Sequence, residues 1–202
     1  MIDAAVLAIM RSAATMPAAD FVGGVMFTCE PWVFRADPEE HERFRLEIAK
    51  KLAVSVEAVV LIGSARLGFS LNADHLLAPF SAGSDLDVVV ASNDKFDSAS
   101  LDLLRRASDF ALLGSEEKRL LKKAKEDVAS GYLRPDRVPT SSALATDWFP
   151  RLAGPFGTEA ARSRPVRAWL FKSMEHAQLC YSGHVSRLRT VVLNLLQTRG
   201  DL

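Results

Sequence analysis

Residues 56–62 (VEAVVLI), followed by Gly63-Ser64, and residues 85–91 (DLDVVVA) carry the pattern that decides the fold. Both runs are apolar, rich in β-branched residues and of strand length, so they predict two buried strands. Residues 167–171 have the same character and predict a third strand. Because Gly63-Ser64 directly follows the first run, we expect that strand to end in a tight turn. The three runs together predict a mixed β-sheet.

Helical patterns surround these strands. We expect helices at residues 3–14, from Asp37 as N-cap to about residue 52, at 101–130 with a break near Gly114-Ser115, and at 182–197. The sequence therefore predicts an α+β fold in which helices flank a mixed sheet, with helical N- and C-terminal segments. Residues 1–202 are expected to form one domain: a core at about 38–175, an N-terminal extension at 1–37 and a C-terminal helix at 176–202.

The segment 131–164 contains four prolines among small polar residues, and it predicts an extended surface connection that acts as a lid: Pro135, Pro139, Pro150 and Pro155.

Composition excludes several classes of function. The chain has 25 basic and 25 acidic residues, and this balance disfavours a protein whose main task is non-specific binding of nucleic acid. Cys29 and Cys180 are too few and too far apart for a disulfide framework or a zinc site, so a reducing cytoplasm is the expected location. No apolar run reaches the roughly 20 residues that a membrane helix requires, so no membrane partner is expected.

Asp85-Leu86-Asp87 is the most informative triplet for chemistry. Alternate residues of a strand share a face, which brings the two carboxylates to about 6–7 Å from each other. Hard oxygen ligands at this separation favour Mg²⁺ or Mn²⁺, so both aspartates are candidate metal ligands and catalytic residues. The alternative is that the pair only begins a solvent-exposed strand.

The turn before this strand supplies candidate phosphate ligands. Gly63 allows a phosphate to approach the backbone closely, the Ser64 hydroxyl can donate to a phosphate oxygen, and Arg66 adds charge nearby. Ser84, directly before the aspartates, completes the expected nucleotide-binding set. An ordinary strand-ending turn would look the same in isolation.

The sequences Leu61-Ile62-Gly63-Ser64 and Ser84-Asp85-Leu86-Asp87-Val88 resemble the signature of the polymerase β-like nucleotidyltransferase superfamily. The stretch GSARLGFS, residues 63–70, is similar to a branch of small bacterial members, some of them associated with antiviral defence. The resemblance covers roughly residues 38–92. It implies that Gly63 and Ser64 bind the triphosphate of ATP or another nucleoside triphosphate, and that Asp85 and Asp87 coordinate the metals. The acceptor would be RNA, a protein or a small molecule.

Two features depart from that signature. The 20 residues 65–84 between Ser64 and Asp85 imply an inserted loop, and residues 166–172 offer no third carboxylate for two-metal catalysis. Asp147, Glu159 or Glu175 would have to supply it. The sequence therefore leaves three functions open: an enzyme that transfers a nucleoside monophosphate to a hydroxyl, a catalytically weakened nucleotide-binding regulator of a defence or toxin–antitoxin system, and a plain interaction domain.

The last helix carries a further set of polar residues, Tyr181, His184 and Arg187, at three-residue intervals. Such a set can contact the base of a bound nucleotide, although an exposed polar face is the simpler interpretation.

Overall fold

A computed structural model of the protein describes residues 4–200, except for the side chain of Arg199. Its elements, in chain order, are α1 (Ala4–Thr15), α2 (Ala18–Phe21), α3 (Pro38–Leu52), β1 (Val59–Ile62), α4 (Gly63–Leu67), β2 (Leu86–Ala91), α5 (Asn93–Ser108), α6 (Ser115–Ala129), β3 (Tyr132–Leu133), α7 (Glu159–Arg162), β4 (Val166–Phe171) and α8 (Met174–Arg199). The α+β class predicted from the sequence is confirmed.

The four strands form one mixed sheet in the order β1-β2-β4-β3. β2 pairs antiparallel with β1 and parallel with β4, while β3 pairs antiparallel with the end of β4. The three predicted strands are present, but residues 56–58 form a 3-10 turn and Asp85 lies just before β2. The two-residue strand β3 was not predicted, because so short a run has no period to detect.

The helix boundaries follow from capping. Asp37 accepts a hydrogen bond from the backbone N–H of Glu40 at 3.1 Å, so α3 begins where its cap predicts. The break between α5 and α6 at Gly114 is also as expected. Ser92 and Ser173 cap α5 and α8, and each helix therefore begins eight residues before its predicted start. The predicted first helix began at residue 3, which lies outside the described residues.

The segment 131–164 does not form an extended surface connection, and that prediction is wrong. Its chain folds into a π-helical turn at Leu144–Trp148, a 3-10 turn at Phe149–Leu152 and the short helix α7. Leu144, Trp148, Leu152 and Phe156 are buried in the main hydrophobic core. Burial of these apolar side chains stabilises a chain that the prolines keep irregular.

Each face of the sheet packs against a different set of residues. Leu86, Val88 and Val90 of β2 point into the main core, together with apolar residues of α3, α5 and α6. Val89 points to the opposite face, where Phe171 and Ala177 belong to the same apolar cluster. Asp87 shares this second face, because it alternates with Leu86 and Val88. The candidate metal ligand therefore lies on the side of the sheet that α8 covers.

A second apolar cluster joins α1 and α2 to α8, with Met10, Phe21 and Val22 buried against Val192 and Leu196. Within residues 4–200, no helix combines the length and apolar character needed to cross a membrane.

Candidate functional site

The end of β1 and the start of β2 bring Gly63 and Asp87 together. Ile62, the last residue of β1, is the register partner of Asp87. Gly63 then adopts a positive φ of +69°, and a Cβ built at this position would lie 3.4 Å from Oδ2 of Asp87. The glycine lets the chain turn into α4 while its backbone stays against the carboxylate. The tight turn predicted after β1 is thus made by Gly63, which is also the first residue of the short helix α4.

Asp87 is half-buried, and its carboxylate forms no hydrogen bond or ion pair with any residue between 4 and 200. Burial raises the pKa of its carboxyl, the neighbouring Asp85 raises it further, and Arg167 partly opposes both effects.

Asp85 has a partner on the neighbouring strand. Its Oδ2 lies 3.0 Å from a terminal nitrogen of Arg167, whose side chain is 63% exposed. Arg167 is also the register partner of Asp87 in the parallel pair of β2 and β4. A cation thus stands next to both aspartates, on the strand where the nucleotidyltransferase signature implies a third acid.

A cavity of about 680 Å³ opens in front of Asp87, and we name it the aspartate cavity. Gly63, Ser64 and Asp87 line it, as do residues 70–73 of the loop between α4 and β2. The predicted insertion therefore supplies part of the wall. Asp85, two residues before Asp87 in the sequence, is not among the lining residues.

The opposite wall comes from α8 and from the segment after β3. Tyr181, His184 and Arg187 all line the aspartate cavity, together with Arg134 and Trp169. The simpler interpretation of these α8 residues as an exposed polar face holds for Arg187, which is exposed, whereas Tyr181 and His184 are half-buried where α8 packs across the sheet. Arg134 was not recognised from the sequence, since nothing in its local pattern indicates which cavity the chain after β3 borders.

The charges in this wall favour an anion. Arg187 forms no ion pair within residues 4–200, and Arg134 pairs with Asp136 at 2.8 Å while its guanidinium lies 4.4 Å from the Trp169 ring centre. Burial lowers the pKa of His184, and the two arginines lower it further, so its imidazole is neutral at neutral pH. Burial, followed by Asp87, raises the pKa of Tyr181 well above its ordinary value. Its phenol therefore keeps its proton.

Two of the residues predicted to bind nucleotide lie elsewhere. Arg66 is buried, with Nε donating to the carbonyl of Leu61 at 2.7 Å and a terminal nitrogen donating to the carbonyl of Cys29 at 2.6 Å. Ser84 accepts a hydrogen bond from the backbone N–H of Ser81 at 3.0 Å, in the turn that precedes β2. Neither lines the aspartate cavity.

The donor set suits Mg²⁺ in one specific way. No group of three or more His, Cys, Asp or Glu residues suited to a metal is found within residues 4–200, and the candidate ligands at this site are Asp85 and Asp87. Mg²⁺ commonly binds through one or two carboxylates, with water and substrate phosphates completing its shell. Asp87, unpaired and destabilised by burial and by Asp85, fits that role.

The three acids proposed from the sequence do not complete the site. Asp147 pairs with Arg151 at 2.6 Å, Glu159 lines a different cavity, and Glu175 is exposed in the first turn of α8.

No protein-family profile, no curated protein and no solved structure matches the chain. The evidence on function is therefore the set of residues described above.

Proposed function

We propose that this protein binds a nucleoside triphosphate with Mg²⁺ in the aspartate cavity and transfers its nucleoside monophosphate to a hydroxyl acceptor. The observation that carries the proposal is the meeting of Gly63, Ser64 and Asp87 in one cavity of about 680 Å³, with Asp85 two residues before Asp87 in the sequence. The run that ends in Gly63-Ser64 and the run that begins at Asp85 are separated by the 20 residues 65–84. Their meeting puts candidate phosphate ligands next to a candidate metal ligand.

The phosphates are assigned to the polar end of the cavity. The Ser64 hydroxyl donates to a phosphate oxygen, and the glycine at position 63 admits the phosphate without a side chain in the way. Arg134 and Arg187 face the same space and balance the negative charge of the triphosphate. These two arginines take the place that the sequence assigned to Arg66.

The base is assigned to the apolar lining residues, which include Trp169, Leu71, Leu188 and Val191. Aromatic rings offer planar surfaces for stacking, and the Trp169 ring also contacts the Arg134 guanidinium and the Tyr132 ring. Neutral His184 and the Tyr181 phenol are the polar groups available for hydrogen bonds to the ligand.

Nucleotidyl transfer needs an oxygen of the acceptor to attack the α-phosphorus while the bond to the bridging oxygen breaks and pyrophosphate leaves. Bound Mg²⁺ would offset the negative charge of the phosphates. Asp85 and Asp87 would hold it, Arg134 and Arg187 would orient the triphosphate, and the wall formed by α8 would exclude water from the reacting atoms. The acceptor hydroxyl loses its proton, and His184 is the neutral base within the cavity.

A second candidate function is nucleotide binding without efficient transfer, in a regulator. The specific observation that favours it is the ion pair between Arg167 and Asp85 at 3.0 Å, together with the lack of any group of three or more potential metal ligands among residues 4–200. Both candidates share the binding site and differ in whether product forms.

The binding test uses Asp87→Asn, with Asp109→Asn as a matched control at an exposed position outside the cavity. We expect Asp87→Asn to weaken Mg²⁺-dependent triphosphate binding at least tenfold, a loss of about 1.4 kcal/mol or more, and the control to bind normally. Because the folded state raises the pKa of Asp87, its ionised form destabilises the fold at neutral pH. The melting temperature of Asp87→Asn should therefore stay the same or rise.

Isothermal titration with each of the four triphosphates, in Mg²⁺ and in EDTA, measures the binding. Unaltered Mg²⁺-dependent affinity in Asp87→Asn would refute the site. To separate the two candidates, the protein is incubated with α-labelled triphosphate and cell extract. Label in RNA, protein or a small molecule indicates transfer, whereas binding without pyrophosphate release indicates the regulator.

A further inference from the structure

A second cavity, of about 710 Å³, lies apart from the aspartate cavity and shares no residue with it. We name it the tryptophan cavity. Its walls come from the turn before α3, from the loop before β2, and from α7 with the two residues that follow it. The residues that carry the argument are Trp32, Arg35, Phe80, Arg162 and Arg164.

Two aromatic rings in this cavity each carry a guanidinium. Trp32 and Phe80 meet edge to face, with ring centres 5.6 Å apart. The guanidinium carbon of Arg35 lies 3.6 Å from the Trp32 ring centre, and that of Arg164 lies 5.2 Å from the Phe80 ring centre. Trp32 is 37% exposed, which is unusual for so large an apolar side chain. Stacked aromatic and guanidinium planes are surfaces on which nucleobases bind.

The positive charges of the arginines in this cavity are not neutralised by ion pairs. None of Arg35, Arg162 and Arg164 forms an ion pair with another residue in the range 4–200. Glu40 and the exposed Glu159 also border the cavity, and Oε1 of Glu40 accepts a hydrogen bond from the Ala160 backbone at 3.0 Å.

Arg164 is half-buried in the cavity wall. One of its terminal nitrogens donates to the carbonyl of Ala160 at 2.7 Å, while its Nε is buried and has no hydrogen-bond partner within the described chain. A ligand with an acceptor oxygen would satisfy such a donor.

We propose that the tryptophan cavity binds a nucleotide unit, with its phosphate on Arg162 and Arg164 and its base on the Trp32–Arg35 stack. The cavity volume is in the range of small-ligand sites. The same chemistry is offered by a free nucleotide and by a nucleotide of a single RNA strand. Either source fits a locally basic cavity in a chain whose net charge is zero.

The walls of the tryptophan cavity are connected through the backbone to the two aspartates. Ser81, in its wall, accepts through its carbonyl the backbone N–H of Ser84 at 3.1 Å, directly before Asp85. On the other side, Arg164 precedes Pro165, whose carbonyl accepts the N–H of Leu86 at 2.9 Å. Both walls are therefore connected to the aspartates through a few residues of the chain. The binding of a nucleotide unit in this cavity does not rest on the proposed function.

The test measures binding of AMP, of a short oligoadenylate and of inorganic phosphate, in EDTA, to the full chain. The variant is Arg162→Gln, because Arg162 is exposed and makes no side-chain contact that would be lost, and the control is Arg105→Gln, an exposed arginine on α5. Trp32→Leu is the second variant, with its melting curve measured beside it. We expect both variants to weaken AMP or oligoadenylate binding at least fivefold and the control to leave it unchanged.

Tighter binding of oligoadenylate than of AMP, with a salt dependence that weakens by about 0.7 in log–log slope in Arg162→Gln, identifies an RNA strand as the source. Equal binding identifies a free nucleotide. Three results overturn the proposal: no binding of either ligand, the same loss in Arg105→Gln, or phosphate binding as tight as that of AMP. Asp87→Asn should leave this binding intact, so the two proposals fail separately.

Discussion

Gly63 holds the backbone against the candidate site in a conformation that is unfavourable for residues with a Cβ. Its φ of +69° lies in the left-handed region, and a Cβ would meet the Asp87 carboxylate at 3.4 Å. Whatever the ligand, this position combines a required turn with a close approach to a buried charge.

Replacing Gly63 with Ala should therefore destabilise the fold by about 1–2 kcal/mol, the strain of the left-handed region, and should also weaken triphosphate binding. Gly24→Ala is the control, since Gly24 lies in a helical turn with open space around it and without a positive φ. Chemical denaturation of both variants measures the difference. A Gly63→Ala protein as stable as the parent and binding as tightly would show that neither strain nor close approach matters at this turn.

Arg66 links several secondary-structure elements. Its side chain joins α4 to the end of β1 and to the chain after α2. Burial lowers its pKa, and the carbonyls of Leu61 and Cys29 accept its two hydrogen bonds. A guanidinium reaches both acceptors with one planar group, which the single ammonium of lysine does not.

We expect Arg66→Lys to lower the free energy of unfolding by about 2–4 kcal/mol, since a hydrogen bond to a charged group contributes about 1.5–3 kcal/mol. Triphosphate affinity of the folded protein should change less than twofold. Thermal unfolding and titration on the same sample give both values. The opposite pattern, with stability kept and affinity lost, would restore the phosphate-binding role that the sequence suggested for this arginine.

His41 connects a single titration to the acid stability of the whole molecule. It stacks on Phe34 with ring centres 5.4 Å apart, and its Nε2 is buried without a partner inside the described range. Burial, with Arg66 and Arg45, lowers its pKa to about 4 from an ordinary 6.5. The unfolded chain therefore takes up this proton at a higher pH than the folded protein does.

Stability should accordingly fall as the pH drops from 6.5 to about 4, and the contribution of His41 should be fully present above pH 6.5. Over that window the loss is about 2–3 kcal/mol, at roughly 1.4 kcal/mol per pKa unit. His41→Gln should remove this part of the pH dependence, and His75→Gln, at an exposed position, should not. Urea unfolding at pH 7 and pH 4.5 measures it. Parallel pH profiles for the parent and His41→Gln would contradict the assignment.

Local sequence determined the elements whose signals are local. The β-branched runs before Gly63 and after Asp85 are strands because such side chains suit a buried pleated surface, and Asp37 starts α3 because its carboxylate caps the first turn. The alternation Asp85-Leu86-Asp87 likewise predicted that both carboxylates share a face, and the effect of Asp85 on the pKa of Asp87 is consistent with that.

Tertiary structure decided which distant side chains meet. The parallel pairing of β2 with β4 placed Arg167 beside the aspartates, and the packing of α8 over that face turned Tyr181, His184 and Arg187 into the same cavity. Arg66, three residues from Gly63 in sequence, instead points into the protein, because the helical turn of α4 carries it away from the carboxylates. The periodicity of apolar residues determines which face of a single element is buried. The contacts between elements depend on the burial of apolar surface over the whole chain, and a local sequence pattern does not contain that information.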